Sequence, residues 1–352
     1  MKRRALLRAL AVAPWLARAP IPAWAKDGTD GIIAAAFGTI PPASAIRRVF
    51  AAGAPAGVLI YAIAPEKLLG WPLQLSAEAR ALLAPATRDL PFLGRLAGRG
   101  STVSVETLLQ LKPDLILDAG TADATYITAA QKVTQQTGLP CVLTHGRLAE
   151  HPAQLREVGR LLGVIERSER LAAYADATVA LAARRRAATL PENRPRVYFG
   201  HGTGGLETGL EGSINMELIE FSGGRNVAAA AGKGGLTRVS PEQILAWNPE
   251  VILTQDRNFA RRVLTDPLWR SLAAVRAGRV HCAPSLPFGW LDGPPGVNRL
   301  IGVRWLLATL YPGPAPALAR DELRVETFDF YRLFYGVALT NGALDDLLEG
   351  AA

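Results

Sequence analysis

Histidine and cysteine, the residues that most often bind transition metals, are few and widely spaced in this sequence of 352 residues. The histidines show no HExxH spacing and number only four: His145, His151, His201 and His281. Cys141 and Cys282 lie in separate apolar runs, which predicts buried free thiols and not a disulfide or a zinc pair. The sequence therefore favours a ligand that arrives as a metal complex, or an oxyanion, over a free metal ion.

Two glycine-rich segments match nucleotide-binding loops only in part. Gly200-His-Gly-Thr-Gly-Gly205 satisfies GxGxxG, but Gly209 and Gly212 follow closely, so no helix opens after the third glycine. Ala231-Gly-Lys-Gly-Gly235 lacks the Ser or Thr that follows the lysine of a P-loop. No Gly-x-Ser-x-Gly elbow supplies a nucleophile. An exported hydrolase and a partner-binding protein with a vestigial cleft stay open as alternatives to a ligand-binding protein.

The first 25 residues have the pattern of an export signal. Basic residues precede an apolar stretch at 9–17, and Ala23-Trp24-Ala25 offers a small-x-small cleavage site after Ala25. The stretch is shorter than the roughly 20 residues of a spanning helix, and Arg3-Arg4 also resembles a loose twin-arginine signal. Cleavage lowers the formal charge from +8 to +3, so the high pI does not indicate nucleic-acid binding. We expect a free periplasmic protein.

An internal duplication predicts two similar lobes. Residues 103–117 and 239–253 align without gaps and are identical at seven of fifteen positions. In each copy a serine, Ser104 or Ser240, is placed to cap a short helix, a proline follows the helix, and an apolar strand comes next. The two copies therefore predict two α/β lobes with parallel sheets.

The remaining apolar runs extend this prediction. Strands are expected at Arg47–Ala52, Leu68–Trp71, Leu115–Asp118 and Cys141–Thr144, and in the second half at Arg196–Gly200, Val251–Thr254 and Arg279–Ala283. A helix at His151–Gly163 closes the first half, and a helix from Glu166 to about Leu190 joins the halves. The predicted organisation is a signal peptide (1–25), an N-terminal lobe (45–163), a connecting helix (164–190), a C-terminal lobe (195–312) and a helical extension (313–352).

The paired Ser-x-Glu segments, the connecting helix and the export signal together resemble the periplasmic substrate-binding proteins of iron-siderophore, haem and cobalamin ABC importers. Further stretches that carry the resemblance are 206–215, 221–227 and 287–300. The resemblance implies a class III fold, with two Rossmann-like lobes on one backbone helix, and a monomeric receptor that hands its ligand to a membrane permease and its ATPase. No enzymatic activity and no cofactor are expected.

The resemblance also assigns a role to Glu106 and Glu242, which occupy equivalent positions in the two repeats. In the family, one glutamate of each lobe docks onto arginines of the permease. The structural alternative is that each acid is placed in the first turn of a helix because the helix dipole favours it there.

Candidate ligand residues are polar or aromatic side chains expected at strand ends or on loops facing a cleft. They are Trp71, Arg95, Arg99, Tyr126 and His145 in the first lobe, and His201, Arg225, Phe288 and Trp290 in the second. Arginines suit anionic ligands and aromatic rings suit flat chelates. A ferric siderophore or similar metal chelate is the first expectation, haem and cobalamin are related possibilities, and molybdate or tungstate is the alternative. Arg299 is expected on a helix that points away from the ligand, and the aromatic run 328–335 is expected to pack onto a lobe.

Overall fold

The computed structural model describes residues 31–96, 101–313 and 316–349. These residues form two four-stranded sheets, flanked by helices and separated in the chain by one long helix. The two-lobed α/β architecture predicted from the sequence is confirmed. The predicted signal peptide lies outside the described residues.

The first lobe has a sheet of order β1-β4-β3-β2, in which only β1 is antiparallel to its neighbour. The strands are β1 (Ile33–Phe37), β2 (Val49–Ala51), β3 (Leu115–Gly120) and β4 (Cys141–His145). The helices are α1 (Ala54–Ile63), α2 (Ala77–Ala81), α3 (Pro85–Arg88), α4 (Val105–Leu111), α5 (Ala124–Thr137) and α6 (His151–Leu162). All six residues of β3 are buried, as expected of a parallel strand covered on both faces.

The connecting helix α7 runs from Ile165 to Ala188. At 1.5 Å per residue, its 24 residues span about 36 Å, enough to extend along both lobes. It follows α6 directly after Gly163, which has a φ of 72° that favours glycine. Its buried residues include Leu171, Ala175 and Ala182, so a narrow face of mostly small side chains packs against the lobes.

The second lobe has an all-parallel sheet of order β10-β9-β5-β7 and a separate antiparallel pair, β6 and β8. The strands are β5 (Arg196–Phe199), β6 (Glu207–Gly209), β7 (Arg225–Asn226), β8 (Leu236–Arg238), β9 (Val251–Thr254) and β10 (Val280–Cys282). The helices are α8 (Ile214–Phe221), α9 (Pro241–Trp247), α10 (Arg257–Thr265), α11 (Pro267–Arg270), α12 (Ala273–Arg276) and α13 (Arg299–Leu310). Helices α14 (Pro316–Phe330) and α15 (Asn341–Glu349) follow.

The duplicated segments have the same backbone conformation in both lobes. Ser104 caps α4 by accepting the Thr107 N–H at 3.1 Å, and Ser240 caps α9 by accepting the Gln243 N–H at 3.3 Å. Each helix ends at a residue with a left-handed backbone conformation, Lys112 (φ 45°) or Asn248 (φ 41°). The following strands, β3 and β9, occupy the same place in their sheets, between the preceding and the next parallel strand. The repeat therefore fixes both central strands.

The acidic residue that follows the proline of each repeat, Asp114 or Glu250, has the same structural role in both lobes. The Asp114 carboxylate accepts the backbone N–H groups of Arg47 and Arg48, and the Glu250 carboxylate accepts that of Arg196. Each carboxylate thus holds the start of the adjacent strand in its lobe.

The aromatic run near the C-terminus packs into the core. The α14 helix continues into a wider π-helical turn at Tyr331–Tyr335. Tyr335, Trp71 and Phe288 surround Tyr61, whose hydroxyl donates to the Tyr335 carbonyl at 2.6 Å. The predicted burial of this run is confirmed, and the cluster joins α1 of the first lobe to the C-terminal extension.

One predicted strand is wrong, and four strands, β1, β6, β7 and β8, were not predicted. The segment Leu68–Trp71 makes only isolated bridges, Leu68 with Val49 and Trp71 with Phe92, after a 3₁₀ turn at Pro65–Lys67. A short apolar run cannot show whether a neighbouring chain continues the ladder. The edge strand β1 was missed because its small residues, Ala34 to Ala36, give little strand signal.

The packing of α13 leads to a stability prediction. A Cβ on Gly302 would lie 1.8 Å from the carbonyl oxygen of Trp290, whereas a Cβ on Gly342 would have no atom within 4 Å. Gly302→Ala should lower the free energy of unfolding by about 2 kcal/mol or more, because the backbone carbonyl must move. Gly342→Ala, the matched control on α15, should leave it unchanged or raise it by up to about 1 kcal/mol. Urea denaturation measures both; equal stabilities would contradict the packing described for Gly302.

Candidate functional site

The carboxyl ends of the two parallel sheets face each other and form a cleft between the lobes. In the first lobe this edge consists of the residues after β2, β3 and β4, and in the second of those after β5, β9 and β10. Two contacts close the base of the cleft. In the first, the Gly146 carbonyl accepts a hydrogen bond from Arg299 Nη2 at 2.9 Å. In the second, Gly296 lies so close to Pro55 that a Cβ added to this glycine would be 3.6 Å from Pro55 Cα. The edges approach each other closely there, and Gly120, Gly146 and His151 are among the residues at this narrow junction.

Four polar side chains of the second lobe, His201, Asn215, Gln255 and Asp292, form a connected group that we call the second-lobe cluster. His201 follows β5, Gln255 follows β9, Asn215 lies in the first turn of α8, and Asp292 lies in the loop between β10 and α13. Asn215 Nδ2 donates to Asp292 Oδ2, and Gln255 Oε1 accepts the backbone N–H of Asp292 at 2.8 Å. The chain after β5, the chain after β9, the start of α8 and the β10–α13 loop thus bring these side chains together.

His201 and Asp292 are mostly buried and form an ionic contact. His201 Nε2 lies 3.3 Å from Asp292 Oδ2, although neither ring nitrogen makes a well-aligned hydrogen bond to the described residues. Burial raises the pKa of Asp292, but contacts from His201, Asn215 and the Gly293 N–H outweigh burial and hold it below its usual value. Asp292 is therefore a carboxylate, and the His201 ring beside it can offer a proton to a ligand.

The first lobe supplies His145, Tyr126 and Arg147 to the same region. His145 ends β4 in register with Gly120 and is partly exposed, Arg147 is exposed two residues later, and Tyr126 lies in the first turn of α5. These side chains can provide hydrogen bonds and one permanent positive charge.

Beneath Tyr126 a carboxyl group is buried beside a small apolar cavity. Asp118 accepts the Ala119 N–H at 2.9 Å, and the cavity is lined by apolar residues such as Ile116 and Val133 and by Cys141. Burial raises the pKa of Asp118 to about 6, with the Ala119 hydrogen bond opposing the rise. Cys141 and Cys282 are both buried and free, as predicted.

A buried ion pair connects the lobes. The fully buried Arg299 guanidinium contacts Glu217 Oε2 at 3.0 Å and donates to the Ile214 carbonyl at 3.1 Å, besides its bond to Gly146. Glu217 Oε1 in turn accepts the backbone N–H of Leu148 at 3.0 Å. Arg299 begins a helix, as predicted, but it points between the lobes and not away from them.

Several predicted ligand residues lie at the cleft edge. Tyr126, His145 and His201 are at the carboxyl ends described above. Arg95 is close to them, since Leu96 N donates to the carbonyl of Ala52, the residue after β2. Arg99 lies outside the described residues.

Four other predicted ligand residues are not in position to touch a ligand. Trp71, Phe288 and Trp290 are buried in the aromatic core, where Trp71 Nε1 donates to the Thr87 carbonyl at 2.9 Å. These rings were chosen as exposed loop residues, but the C-terminal extension covers them. Arg225 is in register with Arg196 at the amino end of β5, on the edge of the sheet opposite the cleft.

Residues that sequence reasoning missed are Asn215, Gln255, Asp292 and Arg147. Asn215 and Asp292 belong to stretches that carried the family resemblance, and Gln255 and Arg147 directly follow strands, so the rule that ligands bind at strand ends could have selected them. Their mutual contacts come from loops far apart in sequence.

Glu106 and Glu242 are exposed in the first turns of α4 and α9. Each has a pKa below its usual value, because the carboxylate accepts its own backbone N–H and interacts with the capping serine, Ser104 or Ser240. Both lobes therefore present an ionised carboxylate at equivalent positions.

Comparison with known families decides the class of protein. A model described as periplasmic binding protein matches residues 88–286. The chain belongs to the periplasmic binding protein family. This family supplies the solute-binding components of ABC transporters and is not enzymatic, so a membrane permease and a small ligand are the partners of this periplasmic binding protein. Among the residues described, no helix has the length and apolar character needed to cross a membrane.

Individual relatives agree with this assignment. The chain is 29% identical over 288 residues to molybdate-binding protein MolA of Haemophilus influenzae, covering 76% of this chain and 78% of MolA. It is 26% identical over 217 residues to the Fe(3+) dicitrate-binding periplasmic protein FecB of Escherichia coli, covering 56% of this chain and 64% of FecB. An ABC transporter solute-binding protein of Sulfurospirillum deleyianum has a similar structure, with a TM-score of 0.78 and 29% identity over 86% of this chain and 94% of that one.

Asp118 leads to a prediction about pH. Because its pKa is about 6 in the folded state against a usual 3.8, its stabilising contribution is present below about pH 4 and is lost as the pH rises through 6. Asp118→Asn removes this dependence, so its free energy of unfolding relative to the wild type should increase by about 2 to 3 kcal/mol between pH 4 and pH 7.5. Urea denaturation at both pH values measures the difference. Asp321→Asn, an exposed aspartate on α14, is the control; an equal pH effect in both variants would contradict the assignment.

Proposed function

We propose that this chain is the periplasmic receptor of an ABC importer for a small oxyanion of the molybdate or tungstate type. From the residues alone, a metal chelate is the first expectation and an oxyanion the alternative. Similarity to MolA covers more of the chain, at higher identity, than similarity to FecB, and so favours the oxyanion. The single observation that carries the proposal is the group of hydrogen-bond donors on both sides of a narrow cleft.

The donors in the second-lobe cluster suit an anion. Asn215 Nδ2 and the His201 ring already contact the Asp292 carboxylate, so they are oriented by it and can share their protons with a ligand oxygen. The Asn215 amide, the Gly293 N–H and the His201 ring all contact the Asp292 carboxylate and offset its negative charge, so the cluster need not repel a dianion.

The first lobe adds positive potential. Helix α1 begins at Gly53, directly after β2 and without a side-chain cap, so its first N–H groups and its dipole favour an anion at the cleft. Arg147 and Arg95 lie beside the same edge, and His145 and Tyr126 add neutral donors. An oxyanion held by these groups needs no metal-binding cluster.

The contacts at the base of the cleft also support a small ligand. Arg299 with Gly146, and Gly296 with Pro55, already bring the two lobes together there, so little room remains between the edges. A compact oxyanion suits such a space better than haem, cobalamin or a large ferric siderophore. Ferric dicitrate is retained as the second candidate because of the similarity to FecB.

Export and docking complete the proposal. The signal-like segment 1–25 suits delivery to the periplasm, by the general or the twin-arginine route. Glu106 and Glu242, ionised and exposed on the two lobes, are proposed to meet arginines of the permease, where charge complementarity accelerates encounter.

The first test is thermal unfolding with molybdate, tungstate, sulfate, ferric dicitrate, haemin and nickel-histidine. A true ligand at about 100 times its dissociation constant should stabilise the protein by about 2.7 kcal/mol, because it binds only the folded state. We expect this for molybdate and tungstate. Stabilisation by ferric dicitrate alone would replace the oxyanion with a chelate, and no stabilisation by any compound would contradict the receptor assignment for these ligands.

Substitutions in the cleft test the site itself. His201→Ala and Asn215→Ala should each weaken molybdate binding by about 10- to 100-fold, because each removes a hydrogen bond to a charged ligand. Arg225→Ala is the control, since it removes a positive charge from the opposite edge of the same sheet. Isothermal titration calorimetry measures all three. Equal losses in all three variants would point to general electrostatics and contradict the proposed site.

A further inference from the structure

The surfaces around Glu106 and Glu242 contain a second repeated feature, an exposed leucine. Leu109 is 44% exposed on α4 and Leu245 is 37% exposed on α9. Each lies three residues after the glutamate of its lobe, so carboxylate and leucine share one face of the helix. Both leucines occupy the same position in the duplicated segment.

The core does not require these two leucines. The preceding residue in each helix, Leu108 or Ile244, is buried and supplies the contact with its lobe. Leu109 and Leu245 thus leave apolar surface in water directly beside the two carboxylates, where a docked partner can cover it.

The second lobe extends the apolar surface beyond Leu245. A shallow apolar crevice lies beside it, lined by Pro241, Ile244, Leu245, Leu268, Trp269 and Leu272. The surface of a docked partner can pack over this crevice next to the Glu242 carboxylate. The pseudo-symmetric lobes thus need not contact a partner with equal strength.

Both helices begin on the cleft side of the molecule. Val239, just before α9, donates its N–H to the carbonyl of Leu206, close to the end of β5, and Thr102, just before α4, donates to the carbonyl of Arg95, close to the end of β2. The two glutamate and leucine pairs therefore lie on the face that surrounds the cleft opening, where a partner must receive the ligand.

We infer that Leu109 and Leu245 are apolar anchors for the transmembrane subunits of the importer, acting beside Glu106 and Glu242. This inference rests on the proposed docking role of the two glutamates and deepens it. The carboxylates govern the rate of encounter and its dependence on salt, whereas the leucines govern dissociation, because apolar burial is not screened by ions. Leu245, with its crevice, contributes the larger share.

The test is the kinetics of docking to the permease dimer and its ATPase subunits, reconstituted in nanodiscs, by surface plasmon resonance at several salt concentrations. Leu109→Ser and Leu245→Ser should each raise the dissociation rate by about fivefold or more, with Leu245→Ser the larger effect, and leave the salt dependence of association unchanged. Leu190→Ser is the control. That leucine is 61% exposed and leads into β5 at the amino edge of the sheet, away from the cleft.

The outcomes separate the two proposals. If Glu106→Ala and Glu242→Ala slow association while both leucine variants behave like Leu190→Ser, the glutamates dock and the leucine anchors are wrong. If the wild type binds and the glutamate variants bind equally well, the docking surface itself is wrong. Unchanged thermal midpoints of the leucine variants show that the effect is not unfolding.

Discussion

Arg299 carries a positive charge in a place that water does not reach, between the two lobes. Removing a charged group from water costs several kcal/mol, so the guanidinium needs close partners on every side. Those partners come from both lobes: the Gly146 carbonyl from the first, and Ile214 and Glu217 from the second. The same Glu217 also accepts the Leu148 N–H of the first lobe. Any rotation of one lobe against the other must break these bonds together.

The other connections between the lobes also restrict the rotation of one lobe against the other. The α7 helix runs unbroken for 24 residues, and the aromatic cluster around Tyr61 and Tyr335 joins α1 to the C-terminal extension. A wide opening motion would expose the aromatic rings to water and leave the buried Arg299 charge without its partners. Both changes cost free energy. The fold thus favours a narrow cleft with small changes in lobe angle, and a narrow cleft favours a compact ligand.

Sequence reasoning succeeded where the determinants are local. The capping serines Ser104 and Ser240 and the prolines that follow each helix act within a few residues, so the duplication predicted both central strands and their helices correctly. It failed where the exposure of a side chain depends on segments that are distant in sequence. Trp71, Phe288 and Trp290 read as loop aromatics, but Trp71 packs on Phe288, and Tyr331 and Tyr335 of the C-terminal extension contact Trp290 and Phe288. Nothing near these rings in sequence indicates that cover. Arg225 was misplaced because a two-residue strand gives no sign of which edge its side chains occupy.

The chemistry of the site follows from how charge is balanced at the cleft. The proposed ligand, a dianion such as molybdate, would be repelled by the Asp292 carboxylate if that carboxylate stood alone. The contacts of Asp292 with Asn215, Gly293 and His201 hold it ionised and direct those donors toward one place. Because the carboxylate fixes the donors before any ligand arrives, less freedom is lost on binding. A metal chelate gains less from this arrangement, since its charge is spread over a larger surface. The negative charge at the cleft is therefore better explained as a means of orienting donors than as a ligand for a metal.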